Sequence, residues 1–563
     1  MSIDIETYRL KAQEAIEYVF VKEYHNSLGI PMPIVKMLLP DDANYSTGQY
    51  YITIDKTWQI HLNFGKLPIS YHEFQNEVKV LTRHEIEHYM CCPFDVITHF
   101  RMLKRIRDVY YKHFSHLGIN IEYACGAISN QAADIIVDTK NYYRHSKETL
   151  KSEIDWIKIG ANISACPRHC KLMFLTKEAI WKEDLGINET DPEFLKIVHQ
   201  LADSFTKNGI EDKSSFLDKV EEYAEIFFKL YVEDQKNPQQ SSQQGSQQQN
   251  GQQGSQQQSG QWGVGRPKDG DEHGNAFVFA DPDKVKEAIE VLAEETSVEE
   301  FIDLLAIAGI IGMSDKQKGV LWFNVQSANI IPIVEFSNTG NKSSYTYPSV
   351  WRIGDPIEEL DLMLTYMTSP RLIPGMTTKK WEYVSNDDNG TESKQMDLLL
   401  VVDTSGSMGS VMKESANMHQ AVLASYGILS YFESTKSKVA FIGFSDKIDA
   451  YVDWSDKYDD VRERLLTNGH GGTKFPISRI KSTLDVRSRD LVTVLITDGD
   501  LGNINESVSY FRDYLNDDNK LYIFLLGGSK SLHSYEPLKN IGAKIYNANN
   551  ANEFCDMVLT DME

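Results

Sequence analysis

Long apolar runs are missing from this sequence. The longest, Leu304 to Met313, is broken by glycines and falls well short of the ~20 residues that cross a bilayer, so no membrane span is expected. The opening residues, MSIDIETYRL, lack a basic stretch followed by an apolar one. No secretory signal is expected, and the chain reads as cytoplasmic. Cysteine is scarce and irregularly spaced, six in 563 residues, which points to reduced thiols and not to a disulfide frame. Positive charge is also short: 57 Lys and Arg stand against 81 Asp and Glu, a formal charge of −24. Such a surface repels phosphate backbones and anionic membranes, which excludes nucleic acid as a partner and suits basic partners or divalent cations. No GxxxxGK[ST] loop occurs, so any ATP hydrolysis must come from a separate protein.

What the chain does contain is organised around Leu398 to Ser407. Leu398 to Val402 is an unbroken apolar run, the mark of a strand buried on both faces of a parallel sheet. It ends in Asp403-Thr404-Ser405-Gly406-Ser407. A carboxylate and two hydroxyls at the carboxyl end of a buried strand are hard oxygen ligands, placed where open α/β sheets carry their sites. Gly471-Gly472-Thr473 offers a third hydroxyl from a flexible loop, and a second apolar strand, Val492 to Thr497, ends in Asp498. Asp-x-Ser-x-Ser, then Thr, then Asp resembles the metal-ion-dependent adhesion site of von Willebrand factor A domains. That resemblance implies Mg²⁺ or Mn²⁺ held by Asp403, Ser405, Ser407, Thr473 and Asp498, with waters completing the octahedron. It also implies that an acidic residue of a partner protein takes the open position. Asp500 is close enough in sequence to tune the site. No nucleophile–base pair accompanies these residues, so this part is expected to bind and not to catalyse.

Around that strand the pattern alternates. Met412 to Glu433, Tyr458 to Leu466 and Glu506 to Leu515 read as helices. Lys438 to Phe444 with Ile448 to Trp454 reads as a hairpin, and Leu521 to Leu526 as another buried strand. Alternation of this kind predicts a doubly wound sheet with helices on both faces.

The N-terminal part carries a second constellation. Ile3 to Tyr24 has apolar residues at helical spacing, and extended runs follow at Ile34 to Leu39, Tyr50 to Ile54 and Trp58 to Phe64. Glu77 to Met90 then reads as a helix bearing His84-Glu85-Ile86-Glu87-His88. Positions i and i+4 share a helical face, so both imidazoles can reach one metal, and Glu85 can take a proton from water activated there. A third ligand is needed. Ten residues after His84 stands Phe94, not the histidine of a metzincin. Asn130 to Asp138 reads as a further helix, in which two registers fit: Asp134 as ligand with Asp138 behind it, or Asn130 as ligand with Asp134 behind it. The first is preferred, because a carboxylate neutralises Zn²⁺ and an amide does not. Strands followed by an HExxH helix resemble the active-site half of zincin metallopeptidases. Asn-x-x-Ala-Asp after HExxH resembles the metallopeptidase-like domain fused to von Willebrand A-like domains in bacteria. The glutamate that gluzincins carry on the second helix is absent here. Cys92, His99, His113, His116 and the Cys166-Pro-Arg-His169-Cys170 cluster rank lower as ligands.

Gln235 to Gln261 is almost wholly Gln, Ser, Gly and Asn, with nothing apolar to bury. Beyond it, Asp281 to Leu305 reads as two helices, the second opened by a capping pattern at Ser297 to Glu300. Val320 to Val325 and Ile330 to Phe336 read as strands. The expected chain is therefore multidomain, α+β and α/β. Residues 1–234 form a zincin-like domain, 235–265 a disordered linker, 266–394 a connecting region, and 395–563 a doubly wound, Rossmann-like von Willebrand A domain. Intracellular A domains of this kind work beside AAA+ ATPases of the MoxR type or in magnesium and cobalt chelatases. The resemblance therefore implies a protein-binding zinc metallopeptidase served by a separate ATPase. The alternative is a non-catalytic, chelatase-like adaptor whose zincin half is a scaffold.

Overall fold

The computed structural model describes residues 5–42, 50–54, 58–64, 70–159, 163–236, 282–310, 313–330, 344–351, 379–384, 396–487, 490–499 and 501–548, apart from 502, 518 and 528–532. The chain divides into two compact units, residues 1–318 and 319–563.

In the first unit, helix α1 (Ile5–Glu17) continues through a wider turn to Glu23. Three strands follow: β1 (Ile34–Met37), β2 (Tyr50–Ile54) and β3 (Gln59–Phe64). Strand β3 is central, parallel to β1 and antiparallel to β2. Period-two alternation sends Ile60 and Leu62 into a core with Ala12, Ile16, Phe20, Phe74, Val78 and Ile86. Helix α2 (Tyr71–Met90) starts at Ser70, whose hydroxyl accepts the Glu73 amide, and it is buried continuously from Leu81 to His88. Helices α3 (Val96–Val109), α4 (Ile121–Ile159), α5 (Arg168–Trp181), α6 (Pro192–Thr206) and α7 (Phe216–Lys236) complete the body, with α4 bent at His145.

A helix buried all round must satisfy its polar residues internally. Helix α2 does so against α4: Arg83 pairs with Glu148, and Glu87, wholly buried, receives Lys140 at 2.8 Å and Arg144 at 3.0 Å. These pairs fix the register of the two helices.

The first unit also takes in helices α8 (Pro282–Glu294) and α9 (Val298–Ile307), which pack on α3 and α4. Arg107 reaches Asp303 at 2.8 Å, and the capping box of Ser297 and Glu300 is formed. These helices thus belong to the same compact unit as residues 1–236. The Gln-rich segment lies outside the described residues, as do most of 266–394. No disulfide joins the five described cysteines.

The second unit is mixed α/β with a mixed six-stranded sheet, β11-β10-β9-β6-β7-β8. Its strands are β6 (Asp397–Asp403), β7 (Val439–Phe444), β8 (Ile448–Ser455), β9 (Leu491–Thr497), β10 (Lys520–Leu526) and β11 (Lys544–Ala548). All neighbours run parallel except the β7–β8 hairpin. Strand β6 is buried on both faces, as its apolar run demands. Leu399 and Val401 join a core with Ile480, Leu484, Phe511 and Leu538 from helices on one side, while the helix Asn417–Ser434 packs on β6 as well. A separate pair, β4 (Ser344–Val350) and β5 (Lys379–Val384), is antiparallel.

One expectation fails here. Val320 to Val325 is not a strand but part of helix α10 (Asp315–Ile330). Its apolar run is too short to distinguish strand from buried helix. Helix wins because Ser314 caps the Gln317 amide and because Trp322 and Phe323, adjacent in sequence, both pack against His419. No helix among the described residues is long and apolar enough to cross a membrane.

Candidate metal centres

The first centre forms where α2 faces α4. One helical turn brings the His84 and His88 rings within 4.7 Å, with their Nε2 atoms 3.2 Å apart. From α4, Asp134 Oδ1 stands 3.5 Å from His84 Nε2 and 3.4 Å from His88 Nε2. Ligand atoms of a tetrahedral zinc, each ~2.0–2.1 Å from the ion, lie ~3.3 Å from one another. The three separations here match that edge length. Among the described residues, this is the group of three His, Cys, Asp or Glu side chains that converges so closely.

The outward nitrogens settle where the protons sit. His88 Nδ1 donates to the Cys92 carbonyl at 2.9 Å, and His84 Nδ1 donates to Asp138 Oδ1 at 2.6 Å. A carbonyl only accepts, so Nδ1 of His88 carries a proton, and Nε2 is the nitrogen left to face an ion. Two imidazole nitrogens and a carboxylate oxygen then face one point, an arrangement that either a proton or a metal cation among them satisfies. Asp134 Oδ1 is buried without a hydrogen bond of its own, while Oδ2 accepts from Asn130 Nδ2 at 3.2 Å. An inward-facing carboxylate oxygen beside two imidazole nitrogens fits a zinc ion. Of the two registers open in the sequence, the structure has Asp134 facing the histidines, Asp138 behind His84, and Asn130 steadying Asp134.

Electrostatics follow the same geometry. Burial works against an imidazolium at His88, yet Asp134 and Glu85 raise its pKa to about 9. Burial likewise opposes ionisation of Asp138, but Lys177 and His84 hold it well below the usual carboxylate range. Glu85 is 8% exposed, one position along from His84 on the same helix. Lys177 from α5 reaches Asp138 Oδ2 at 2.7 Å and Glu153 at 2.8 Å, a partner the sequence did not reveal because 39 residues separate it from Asp138.

The lower-ranked candidates go elsewhere. Cys92 contributes its carbonyl, and burial pushes its thiol pKa well up. His99 is buried, whereas His113 and His116 are exposed. His169 bonds Asp234 at 2.8 Å between the Phe227 and Tyr231 rings, which is a packing role.

The second centre lies at the carboxyl ends of β6 and β9, where the chain departs to opposite sides of the sheet. Ser405 Oγ is 3.1 Å from Ser407 Oγ, which donates to Asp498 Oδ1 at 3.0 Å. Neighbouring oxygens of a magnesium octahedron lie ~2.9 Å apart, given bonds of ~2.0–2.1 Å. The two separations therefore match two edges of such a shell that meet at Ser407 Oγ. Asp403 is buried behind them: its carboxylate accepts the Ser405 amide at 2.8 Å and the Thr497 hydroxyl at 2.6 Å. Burial raises its pKa against those hydrogen bonds, and Asp498 adds to the rise. Asn417 holds the other oxygen of Asp498 at 3.1 Å. Thr473 is half-buried in the loop whose Gly471 carbonyl accepts the Gly406 amide at 3.2 Å. That contact brings the loop to the turn, though no hydrogen bond joins the Thr473 hydroxyl to the other oxygens. Ser407 is exposed, so the site opens outward. Asp500 lies outside the described residues.

No protein-family model matches the chain, and no curated protein does. Among solved structures, a conserved hypothetical protein, BatB from Bacteroides thetaiotaomicron, is 13% identical with a TM-score of 0.25, covering 30% of this chain and 98% of its own. An uncharacterized membrane spanning protein from Vibrio fischeri is 18% identical with a TM-score of 0.13, covering 29% and 96% respectively. Likeness of that degree carries no argument about fold or function.

Proposed function

We propose that this is a two-headed, metal-dependent protein: a zinc peptidase site in the first unit and a divalent-cation adhesion site in the second. The observation that carries the reading is the convergence of His84 Nε2, His88 Nε2 and Asp134 Oδ1 within 3.2–3.5 Å, with Asp138 fixing the His84 ring. A zinc ion held by His84, His88 and Asp134 would supply Lewis acidity. Glu85 takes the proton of the attacking water and returns it to the leaving nitrogen. In the second unit, Ser405, Ser407 and Asp498 hold Mg²⁺ or Mn²⁺ near the surface. Asp403 orients Ser405, and Thr473 approaches on its loop. The acidic side chain of a protein partner completes the shell, and a MoxR-type AAA+ ATPase in the same cytoplasmic compartment is the partner we assign. The chain works as a von Willebrand A-type recruiter carrying a hydrolase.

One observation favours a second reading, the non-catalytic adaptor: Glu85 is only 8% exposed, so the base has little open space for a peptide. Zinc content and cleavage of unfolded protein by wild type and Glu85→Gln separate the two. Stoichiometric zinc with cleavage lost only in Glu85→Gln supports the peptidase. Stoichiometric zinc with no cleavage, alone or with the ATPase, leaves the scaffold. A pull-down of the ATPase in magnesium against chelator tests the second head, and capture that survives chelation refutes it.

A further inference from the structure

Asp138 steadies His84, and Asp138 is itself held on both oxygens. Its Oδ1 is taken by His84 Nδ1, and its Oδ2 accepts from Lys177 Nζ at 2.7 Å. Lys177 sits on α5, is 2% exposed, and spends a second donor on Glu153 at 2.8 Å. A lysine this deep is tolerated only when carboxylates surround it. Burial works against its ammonium, yet Asp138 and Glu153 more than offset that and hold the group charged. Helix α5 is itself fixed on α4: Trp181 Nε1 donates to the Thr139 hydroxyl at 3.0 Å, and the Trp181 ring stacks on Tyr142 at 4.7 Å. The ammonium is therefore placed by packing that does not depend on any bound ion.

The charges around the first centre say what this placement does. Asp134 and Asp138 are two carboxylates on adjacent turns of α4, and each raises the other's cost of ionisation. Without a counter-charge, Asp138 relieves the repulsion by rotating away from Asp134, and His84 loses the acceptor that fixes its tautomer. With Lys177 on Oδ2, the carboxylate plane is pinned and Oδ1 stays aimed at Nδ1. We infer that Lys177 is a positioning residue of the metal centre, holding Asp138 so that His84 Nε2 keeps its lone pair toward Asp134 Oδ1. Glu153 anchors the far side of the ammonium. The inference rests on reading His84, His88 and Asp134 as the ligand set.

The test is a double-mutant cycle on the full chain, reading zinc affinity by competition with a chromogenic chelator. Asp138→Asn weakens zinc ~10–100-fold, as loss of an outer partner does. Lys177→Met weakens it roughly tenfold in the wild-type background and under about twofold in the Asp138→Asn background, because the lysine acts through Asp138. Lys177→Arg, which keeps two donors and the charge, restores affinity to within about threefold. Nitrogen-15 NMR of the metal-free protein gives a second readout: the His84 proton stays on Nδ1 in wild type and is shared between nitrogens in Lys177→Met. Should Lys177→Met not fold, Lys177→Gln carries the same cycle. Zinc affinity in Lys177→Met equal to wild type overturns the inference, as does an equal loss in both backgrounds, which marks a merely structural lysine. Wild type that binds no zinc overturns the ligand set itself, a distinct result.

Discussion

Ser407 Oγ donates to Asp498 Oδ1 at 3.0 Å, tying the turn after β6 to the end of β9 across 91 residues of chain. Of the two carboxylates in this centre, Asp498 is the one with an oxygen facing the hydroxyls; both Asp403 oxygens are engaged by Ser405 and Thr497. Asp498→Ala should therefore lower Mn²⁺ or Mg²⁺ affinity by at least roughly tenfold, with Ser407→Ala doing less. Isothermal titration calorimetry measures both, and an Asp498→Ala protein that binds Mn²⁺ like wild type contradicts the assignment.

In the first centre, Asp134 and Asn130 have unequal parts. Asp134→Ala removes an anionic ligand and should weaken zinc by roughly a hundredfold or more. Asn130→Ala removes one hydrogen bond to Asp134 Oδ2 and should cost only several-fold. Equal losses, read by chelator competition, would restore the register in which the amide is the ligand.

Stability depends on the same helix pair. Glu87 is wholly buried between Lys140 and Arg144, and Lys140 is nearly as deep. Glu87→Ala removes the buried partner of Lys140 and leaves it only the exposed Glu211 at 3.1 Å, and should cost about 3 kcal/mol. Arg144 is 48% exposed, so Arg144→Ala should cost at most ~1 kcal/mol. Urea denaturation of each variant decides, and similar midpoints would show that the buried pair has no special weight.

Much of this architecture is legible in the sequence because burial writes itself into apolar runs. Leu398 to Val402 and Val492 to Thr497 are strands buried on both faces, and polar residues at their ends announce the second centre. The i, i+4 spacing of His84 and His88 by itself places both rings on one helical face. Other parts carry no signal. Trp322 and Phe323 lie in a short apolar run that suits a strand as well as a buried helix, and only their packing on His419 decides. Lys177 is an ordinary helical lysine in sequence, and its ion pairs exist only once α5 lies on α4. The place of α8 and α9 beside α3 rests on Arg101 and Arg107 meeting acids nearly 200 positions away, beyond any local pattern.

His419 predicts a pH response in the second unit. Burial lowers its pKa below the ordinary 6.5, and its Nδ1 donates to the Val411 carbonyl at 2.7 Å beneath Trp322 and Phe323. The unfolded chain then binds more protons than the folded one between the folded value and ~6.5, so stability falls as pH drops through that window. Thermal unfolding between about pH 7 and pH 5 should show the loss, and His419→Gln should flatten this part of the slope. An unchanged slope in His419→Gln would assign the acid sensitivity elsewhere.

Arg83, His84 and Glu87 each grip α4, at Glu148, Asp138 and Lys140, within little more than one turn of α2. A slip of a single residue along the axis, ~1.5 Å, would part all three couples together. The helix pair thus behaves as a key with three teeth: it seats fully or not at all, and a mis-seated pair has no partial pocket to offer an ion.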